Sequence, residues 1–330
     1  MKFNEFIGID VSKDTLDVYT LSGKSYSRYP NTEKGYNRLH SWIKRLFETL
    51  DTVVICMEHT GMYSNGIMGY MDREGINFMM VSGLEVKRSM GIQRGKNDKV
   101  DARRLAEYIS LRRDHIVLYQ MPSKSLLSLK ELMSLRSRLV KQRAGYIASS
   151  KEYKRYMISE DAECLITCQE KLIEELSTQI KIIDKKLKQI IKTDENIERQ
   201  YKLATSVKGV GMLLALTMIS YTNGFTSFKN WRKFASYAGT APFENTSGTS
   251  IKGKTKVSHL ANKRVKSILH LAAMSAIRHN AELRSYYTKR IASGKNKMST
   301  LNIIRNKLIS RIFAVVTRQT PYVDVFKFAA

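Results

Sequence analysis

FIGIDVSKDTLDVYTL, residues 6–21, is the stretch whose reading decides the fold. Phe6–Asp10 and Thr15–Leu21 are short runs rich in β-forming residues, and the polar segment Val11–Asp14 between them leaves room only for a tight reversal. Gly8–Tyr19 therefore reads as a β-hairpin, an antiparallel pair at the very start of the chain. Working outward, VVICM at 53–57 is a continuous apolar run, as expected of a strand covered on both faces, and Asn77–Val81 is a second such run. Glu33–Leu50 and Tyr63–Glu74, which separate these strands, have helical spacing. Residues 1–115 thus predict an α/β unit with a mixed sheet. The opening hairpin, and the lack of any GxGxxG after a strand, argue against a purely parallel Rossmann sheet.

The pattern changes after Pro122, the last proline before a long helical stretch. Ile173, Leu176, Ile180, Ile183, Leu187 and Ile190 recur at 3-4-3-4-3 spacing, an a/d seam that points to coiled-coil packing within or between chains. Leu129, Leu132, Leu139, Tyr146 and Tyr153 suggest a preceding helix of the same kind, interrupted by Arg136 and Arg143. An antiparallel pair of long helices is the expected shape, with a plain amphipathic helix as the alternative. Residues 197–330 read as mainly helical, broken at Gly209-Val210-Gly211, at Asn223-Gly224 and by an irregular loop from Gly239 to Gly253. Helices are expected to resume near Ser258–Arg278 and Leu301–Arg318. The predicted division is an α/β domain at 1–118, a helical coiled-coil linker or oligomerisation segment at 119–197, and a mainly α C-terminal domain at 198–330.

Charge names the partner class. Net charge is +26, from 56 Lys+Arg against 30 Asp+Glu, and residues 199–330 hold 23 of those basic side chains but only 3 acidic ones. A polyanion is the natural counterpart of such a surface, and it should lie mainly against the C-terminal part. No stretch reaches the roughly 18 apolar residues that a membrane span needs, and the N-terminus, with Lys2, Glu5 and Asp10, does not read as a signal peptide. Cys56, Cys164 and Cys168 give neither a disulfide framework nor a zinc spacing. A reduced, cytoplasmic protein is expected, and any metal it binds should be held by oxygen.

Four carboxylates stand out by position. Asp10 closes one strand run and Glu58 closes another, where an uncompensated charge is costly. Asp98 and Asp101 open a helical stretch at i, i+3 spacing and so share one face. Phosphodiester chemistry with divalent ions needs hard oxygen ligands converging from separate elements in this way. Each acid also has a plainer reading: a strand-end Asp can be a turn residue, and Asp98 can cap its helix. His59, beside Glu58, reads either as a structural histidine or as a further ligand.

Far downstream stands Gly239-Thr240-Ala241-Pro242-Phe243-Glu244-Asn245-Thr246-Ser247-Gly248. A serine in a shaped loop flanked by cations can attack phosphorus if it is positioned and activated, although Ser-Gly in a loop is also an ordinary turn. Lys252, Lys254 and Lys256 follow at alternate positions and could hold phosphate oxygens. VKGVG at 207–211 resembles a helix-hairpin-helix turn, whose amides can bind phosphate, and equally an ordinary interhelical turn.

The strings GIDVSK at 8–13, EHTGMY at 58–63 and KNDKVDA at 96–102, together with the Gly-x-x-Pro-x-x-x-x-Ser-Gly pattern at Gly239, Pro242, Ser247 and Gly248, carry a resemblance over essentially the whole chain. They closely resemble the DEDD transposases of the bacterial insertion-sequence family numbered one hundred and ten. That family includes Piv-type invertases and is similar to RuvC resolvases. The resemblance implies an RNase H-like (RuvC-like) N-terminal fold with Asp10, Glu58, Asp98 and Asp101 as catalytic ligands of Mg²⁺, two ions in number, with Mn²⁺ as a substitute. It implies Ser247 as the nucleophile that forms a phosphoserine link to DNA, with Thr246 as the rival hydroxyl. HLANKRVK at 259–266 resembles the family's basic helix start, making Lys263, Arg264 and Lys266 further nucleic-acid contacts. Relatives commonly have glycine where Ala261 stands, which puts the local turn in question. The family further implies donor and target DNA, a structured non-coding bridge RNA, and a homo-oligomer built as a dimer of dimers. A junction endonuclease using water, and a non-catalytic nucleic-acid scaffold, are the two alternatives.

Overall fold

The computed structural model describes residues 3–91, 95, 97–156, 161–247 and 251–324, and leaves the side chains of residues 247, 251 and 252 undescribed. The chain divides into two compact units, Met1–Met121 and Pro122–Ala330. The helical hairpin and the basic C-terminal helices fall in the same unit.

In the first unit β1 (Glu5–Val11), β2 (Thr15–Thr20) and β3 (Tyr26–Pro30) form an antiparallel meander. Helix α1 (Glu33–Leu46) then carries the chain to β4 (Val53–Glu58), and α2 (Asn65–Arg73) carries it to β5 (Phe78–Val81). β4 lies parallel to β1, and β5 parallel to β4, so the sheet order is β3-β2-β1-β4-β5 and the sheet is mixed, as expected. α3 (Gly83–Ser89) and α4 (Asp98–Leu111) complete the unit. β3 and α3 were not legible in the sequence. Both are short, and YSRYP is largely solvent-facing, so it lacks the apolar run that marks β1 and β4.

Strand side chains alternate between the two faces, and this alternation sorts the residues of the site. Ile7, Ile9, Leu16, Val18, Val53, Ile55 and Met57 bury one face under α1 and α2. Phe6, Tyr19, Val54 and Cys56 on the other face are buried by Val86 of α3 and by Ala102, Leu105 and Ala106 of α4. Gly8 makes the second layer close. A Cβ there would sit 1.9 Å from the Ala102 carbonyl oxygen and 2.5 Å from the Ala106 nitrogen, so α4 lies backbone against backbone on β1.

In the second unit α5 (Lys124–Tyr156) and α6 (Ala162–Thr193) form the expected antiparallel pair. Ile180, Ile183, Leu187 and Ile190 of the seam are buried, while Ile173 and Leu176 are partly covered. At the root of the hairpin, Leu129 and Met133 pack with Ile183, Leu187, Ile190, Leu216 and Ile219. The two arginines that break the α5 pattern have partners across the hairpin. Arg136 makes a two-pronged pair with Asp184 at 2.6 and 3.1 Å, and Arg143 donates to Ser177 at 3.2 Å. α7 (Glu195–Ser206), the apolar α8 (Met212–Tyr221), α9 (Trp231–Tyr237), α10 (Lys263–His279), α11 (Ala281–Ala292) and α12 (Lys297–Arg318) build a helical core around Leu214, Phe234, Leu269, Ile304 and Leu308.

The Gly239–Gly253 segment departs from the expected irregular loop. Pro242–Ser247 (β6) and Ile251–Val257 (β7) pair as an antiparallel ribbon, with an irregularity between Phe243 and Asn245. Alternation in IKGKTKV, with β-branched residues at Ile251, Thr255 and Val257, was the signal, and the glycines and the proline masked it. Pro242 stands where a strand tolerates proline best, at its first residue. Among the described residues no helix is long and apolar enough to cross a membrane.

Replacing Gly8 by alanine must push α4 off β1, because the atoms it meets are backbone and cannot swing away. Gly8→Ala should cost about 3 kcal/mol or prevent folding, read as a fall in the denaturant midpoint. An unchanged midpoint contradicts the close approach.

Candidate functional site

Residues of even number in β1 and β4 share the α4 side of the sheet. Asp10 therefore sits on the layer of Phe6 and Gly8, and Glu58 on the layer of Val54 and Cys56, both at the C-terminal ends of parallel strands. Such ends are where open α/β sheets place their ligands. α4 delivers the other two acids in its first turn, Asp98 and Asp101. Its N-cap is Asn97, whose side chain accepts from the Val100 amide at 2.8 Å, so capping is not the job of Asp98. The helix dipole favours acids at this end.

Asp10 feels the charges of the other three carboxylates. The Asp10 carboxyl is pushed up to about 6, first by burial and then by the negative charges of Asp101, Asp98, Asp17 and Glu58. Among the described residues no three such side chains already close on one point as cation ligands. Two of them face arginines instead: Asp101 pairs with Arg104 at 2.9 Å and Asp98 with Arg28 at 3.3 Å. Asp10 thus sits among like charges that a divalent cation would offset. All-carboxylate donors suit a hard ion of that kind. Glu58 is packed tightly, since a Cβ on Gly83 would lie 2.1 Å from its Oε1. His59 Nδ1 accepts from the Gly61 amide at 3.2 Å and so shapes the turn after β4.

Asp17, Tyr26, Arg28 and Asn31, which the sequence reading did not single out, belong here. Asp17 stands opposite Asp10 on β2 and is fully buried, with Arg28 Nε at 2.8 Å and the Tyr26 hydroxyl donating to the same oxygen. Asn31 ties the β1–β2 turn to the segment after β4, donating to Ser12 O at 2.9 Å and Tyr63 O at 3.0 Å. Asp17 was readable only as an acid on the apolar alternation of a strand, a signal with no meaning until its register with Asp10 is known.

In the second unit Ser247 ends β6, opposite Ile251, and Gly248 lies outside the described residues. Lys254 and Lys256 are exposed on β7, and the side chain of Lys252 lies outside the described residues. Lys263 is exposed and Lys266 half-exposed on α10, whereas Arg264 donates to the Met133 carbonyl of α5 and so braces the helices. An isolated two-stranded ribbon is marginal in water, and this one is clamped at its base. Thr240 is fully buried; its carbonyl accepts from Asn302 at 2.7 Å and Asn306 at 2.9 Å, and its hydroxyl donates to Asn306 Oδ1 at 2.7 Å. Gly239 turns into this clamp with φ +67°, and a Cβ there would lie 2.3 Å from the Ala261 Cβ. The extra methyl of Ala261 is thus accommodated by a glycine facing it. In VKGVG, Val207 and Val210 are core residues and Lys208 pairs with Asp324, which fits an interhelical turn.

Two outcomes follow. In the presence of a chelator Asp10→Asn should raise the melting temperature at pH 7 by about 2–4 °C, roughly 1 kcal/mol. The raised proton affinity of the folded state means that the Asp10 charge opposes folding above about pH 6 and ceases to do so as the pH falls toward 3.8, so the gain should vanish near pH 4. A gain that is equal at both pH values contradicts the crowding. Asn306→Ala removes two hydrogen bonds, about 2 kcal/mol, and should raise amide exchange across 242–257 while leaving β1 unchanged.

Comparison with known proteins places the two halves consistently. The DEDD, IS110-type model described as "Transposase" matches residues 7–151, and the "Transposase IS116/IS110/IS902 family" model matches residues 201–288. The pilin gene-inverting protein of Moraxella bovis is 25% identical over 327 residues, covering 96% of this chain and 97% of that protein. The transposase for insertion sequence element IS1111A of Coxiella burnetii is 23% identical over 350 residues, covering 98% and 92%. A 43.6 kDa protein of insertion element IS110 from Streptomyces coelicolor is 33% identical over 118 residues, 36% of this chain and 29% of its own length. With both regions matched in order, and relatives matched over nearly the whole chain, the chain belongs to the IS110-type transposase family, enzymes that cut and rejoin DNA.

Proposed function

We propose that this enzyme is the transposase or site-specific recombinase of an insertion sequence, which breaks and rejoins DNA strands by Mg²⁺-dependent attack of Ser247. In this reading 1–118 is an RNase H-like, RuvC-like catalytic domain, 119–197 a coiled-coil oligomerisation segment and 198–330 the nucleophile-bearing, DNA-facing domain. The β3-β2-β1-β4-β5 order, with acids at the ends of β1 and β4 and on the helix covering them, supports the first assignment. The observation that carries the reading is the placement of Asp10 and Glu58 at the ends of neighbouring parallel strands on the side covered by α4, whose first turn holds Asp98 and Asp101.

The chemistry divides between two groups of residues. Asp10, Glu58, Asp98 and Asp101 would hold Mg²⁺, which when bound would supply Lewis-acid stabilisation of phosphate charge. The Ser247 hydroxyl gives up its proton and its Oγ bonds to phosphorus. The bond from phosphorus to one DNA oxygen breaks, and that oxygen leaves with a proton. The phosphoserine keeps the bond energy for rejoining to another strand. Lys252, Lys254, Lys256, Lys263 and Lys266 offer phosphate contacts, which position a duplex without reading its sequence. The resemblance to the family, not the lysines, suggests that a structured bridge RNA pairs with donor and target DNA, in a cytoplasmic complex of several copies of the chain.

Purified protein, RNA transcribed from the flank of its own gene, and labelled donor and target DNA provide the test. With Mg²⁺ the wild type should give joined product and a covalent protein–DNA adduct. Ser247→Ala should lose both by at least 100-fold, Thr246→Ala should keep them, and Asp10→Asn should lose cleavage. Cutting that survives Ser247→Ala without an adduct identifies a water-using junction nuclease. Salt-sensitive binding with no cleavage at all identifies a scaffold.

A further inference from the structure

β2 carries an acid that the metal reading leaves unused. Asp17 faces Asp10 across the β1–β2 pair, is fully buried, and its Oδ2 has no hydrogen-bond partner. Oδ1 accepts from the Tyr26 hydroxyl and from Arg28 Nε at 2.8 Å. The same guanidinium reaches out to Asp98 Oδ2 with its NH2 nitrogen, at 3.3 Å. One side chain on β3 thus joins a buried carboxylate of the sheet to an exposed carboxylate in the first turn of α4. The donors of a guanidinium form a rigid fork, so anchoring Nε on Asp17 fixes where NH2 points. The Asp17 end is short and shielded from water. The Asp98 end is longer, and about half of each side chain there is open to solvent, so it is the end that yields.

We infer that Arg28 is a positioning residue of the acid cluster: a placeholder cation, anchored by Asp17, that holds the Asp98 carboxylate until a divalent ion takes it. The inference rests on the metal reading above. Removing the guanidinium has two opposed effects on ion binding. Asp98 gains freedom, which weakens binding by the entropy of a short side chain. A competing positive charge is also lost, and its Coulomb repulsion of a divalent ion at such range is the larger effect. Charge removal at position 28 therefore tightens the site. It also means that the metal-free cluster guards itself against premature loading, and that loading frees a fixed cation beside the acids.

The test uses the full-length protein and Mg²⁺ alone, followed by calorimetry and by the Mg²⁺-induced rise in melting temperature. Arg28→Gln should lower the Mg²⁺ dissociation constant at least threefold, and Arg28→Lys should return it to within about twofold of wild type. Arg103→Gln, which removes a cation paired with Glu107 on α4, should leave it within twofold. A second measurement needs no variant. Mg²⁺ should raise the rate at which phenylglyoxal modifies Arg28 at least twofold by mass spectrometry. Unchanged or weaker binding in Arg28→Gln, equal tightening in Arg103→Gln, or an Arg28 reactivity indifferent to bound Mg²⁺ overturns the inference while the metal reading stands. If the wild type binds no Mg²⁺, both fall together.

Discussion

Everything in the first unit turns on the contact of α4 with β1 at Gly8, where backbone meets backbone with no room for a side chain. That contact fixes the depth at which the first turn of α4 meets the ends of β1 and β4. Asp10 is then held among the negative charges of Asp101, Asp98, Asp17 and Glu58. The cost appears in the raised proton affinity of Asp10, and it is borne by an apolar sheet buried on both faces. A stable scaffold forcing carboxylates together is the condition for binding a hard cation tightly, because the repulsion is released when the ion arrives.

The second unit solves a different problem, that of presenting an exposed ribbon without letting it wander. Phe243 to Thr246 are open to solvent, so the ribbon gains little from burial. Its geometry comes from below, where buried Thr240 is held by two asparagines of α12. The α5–α6 hairpin is rooted in the same helical core through Leu129, Met133 and the lower half of its seam. Much of the basic character of the unit lies on exposed side chains, whereas Arg264 braces α5, Arg305 is buried beside His270 and Arg311 pairs with Glu282.

What could be read from the sequence was whatever depended on local pattern. FIGID and VVICM announced buried strands because central strands have no polar face to show. The seam of α6 announced a helical pair because its period is sustained. The strand-end acids were legible since a charge closing an apolar run needs a reason. Asp17 and Arg28 were not, because their roles come from register and from a half-exposed strand whose sequence, YSRYP, carries no signal of its own. The ribbon at 242–257 was misread for a similar reason: glycine and proline marked its ends and bends, and its pairing is set by the clamp beneath it.

The most direct measurement is a crystal structure of the protein soaked in Mn²⁺, with the ion located by its anomalous scattering. The account predicts a peak within about 2.1 Å of carboxylate oxygens from Asp10 and at least one of Glu58, Asp98 and Asp101, with Asp98 turned away from Arg28. Manganese bound only at other surface acids, with these four side chains unmoved, would contradict it.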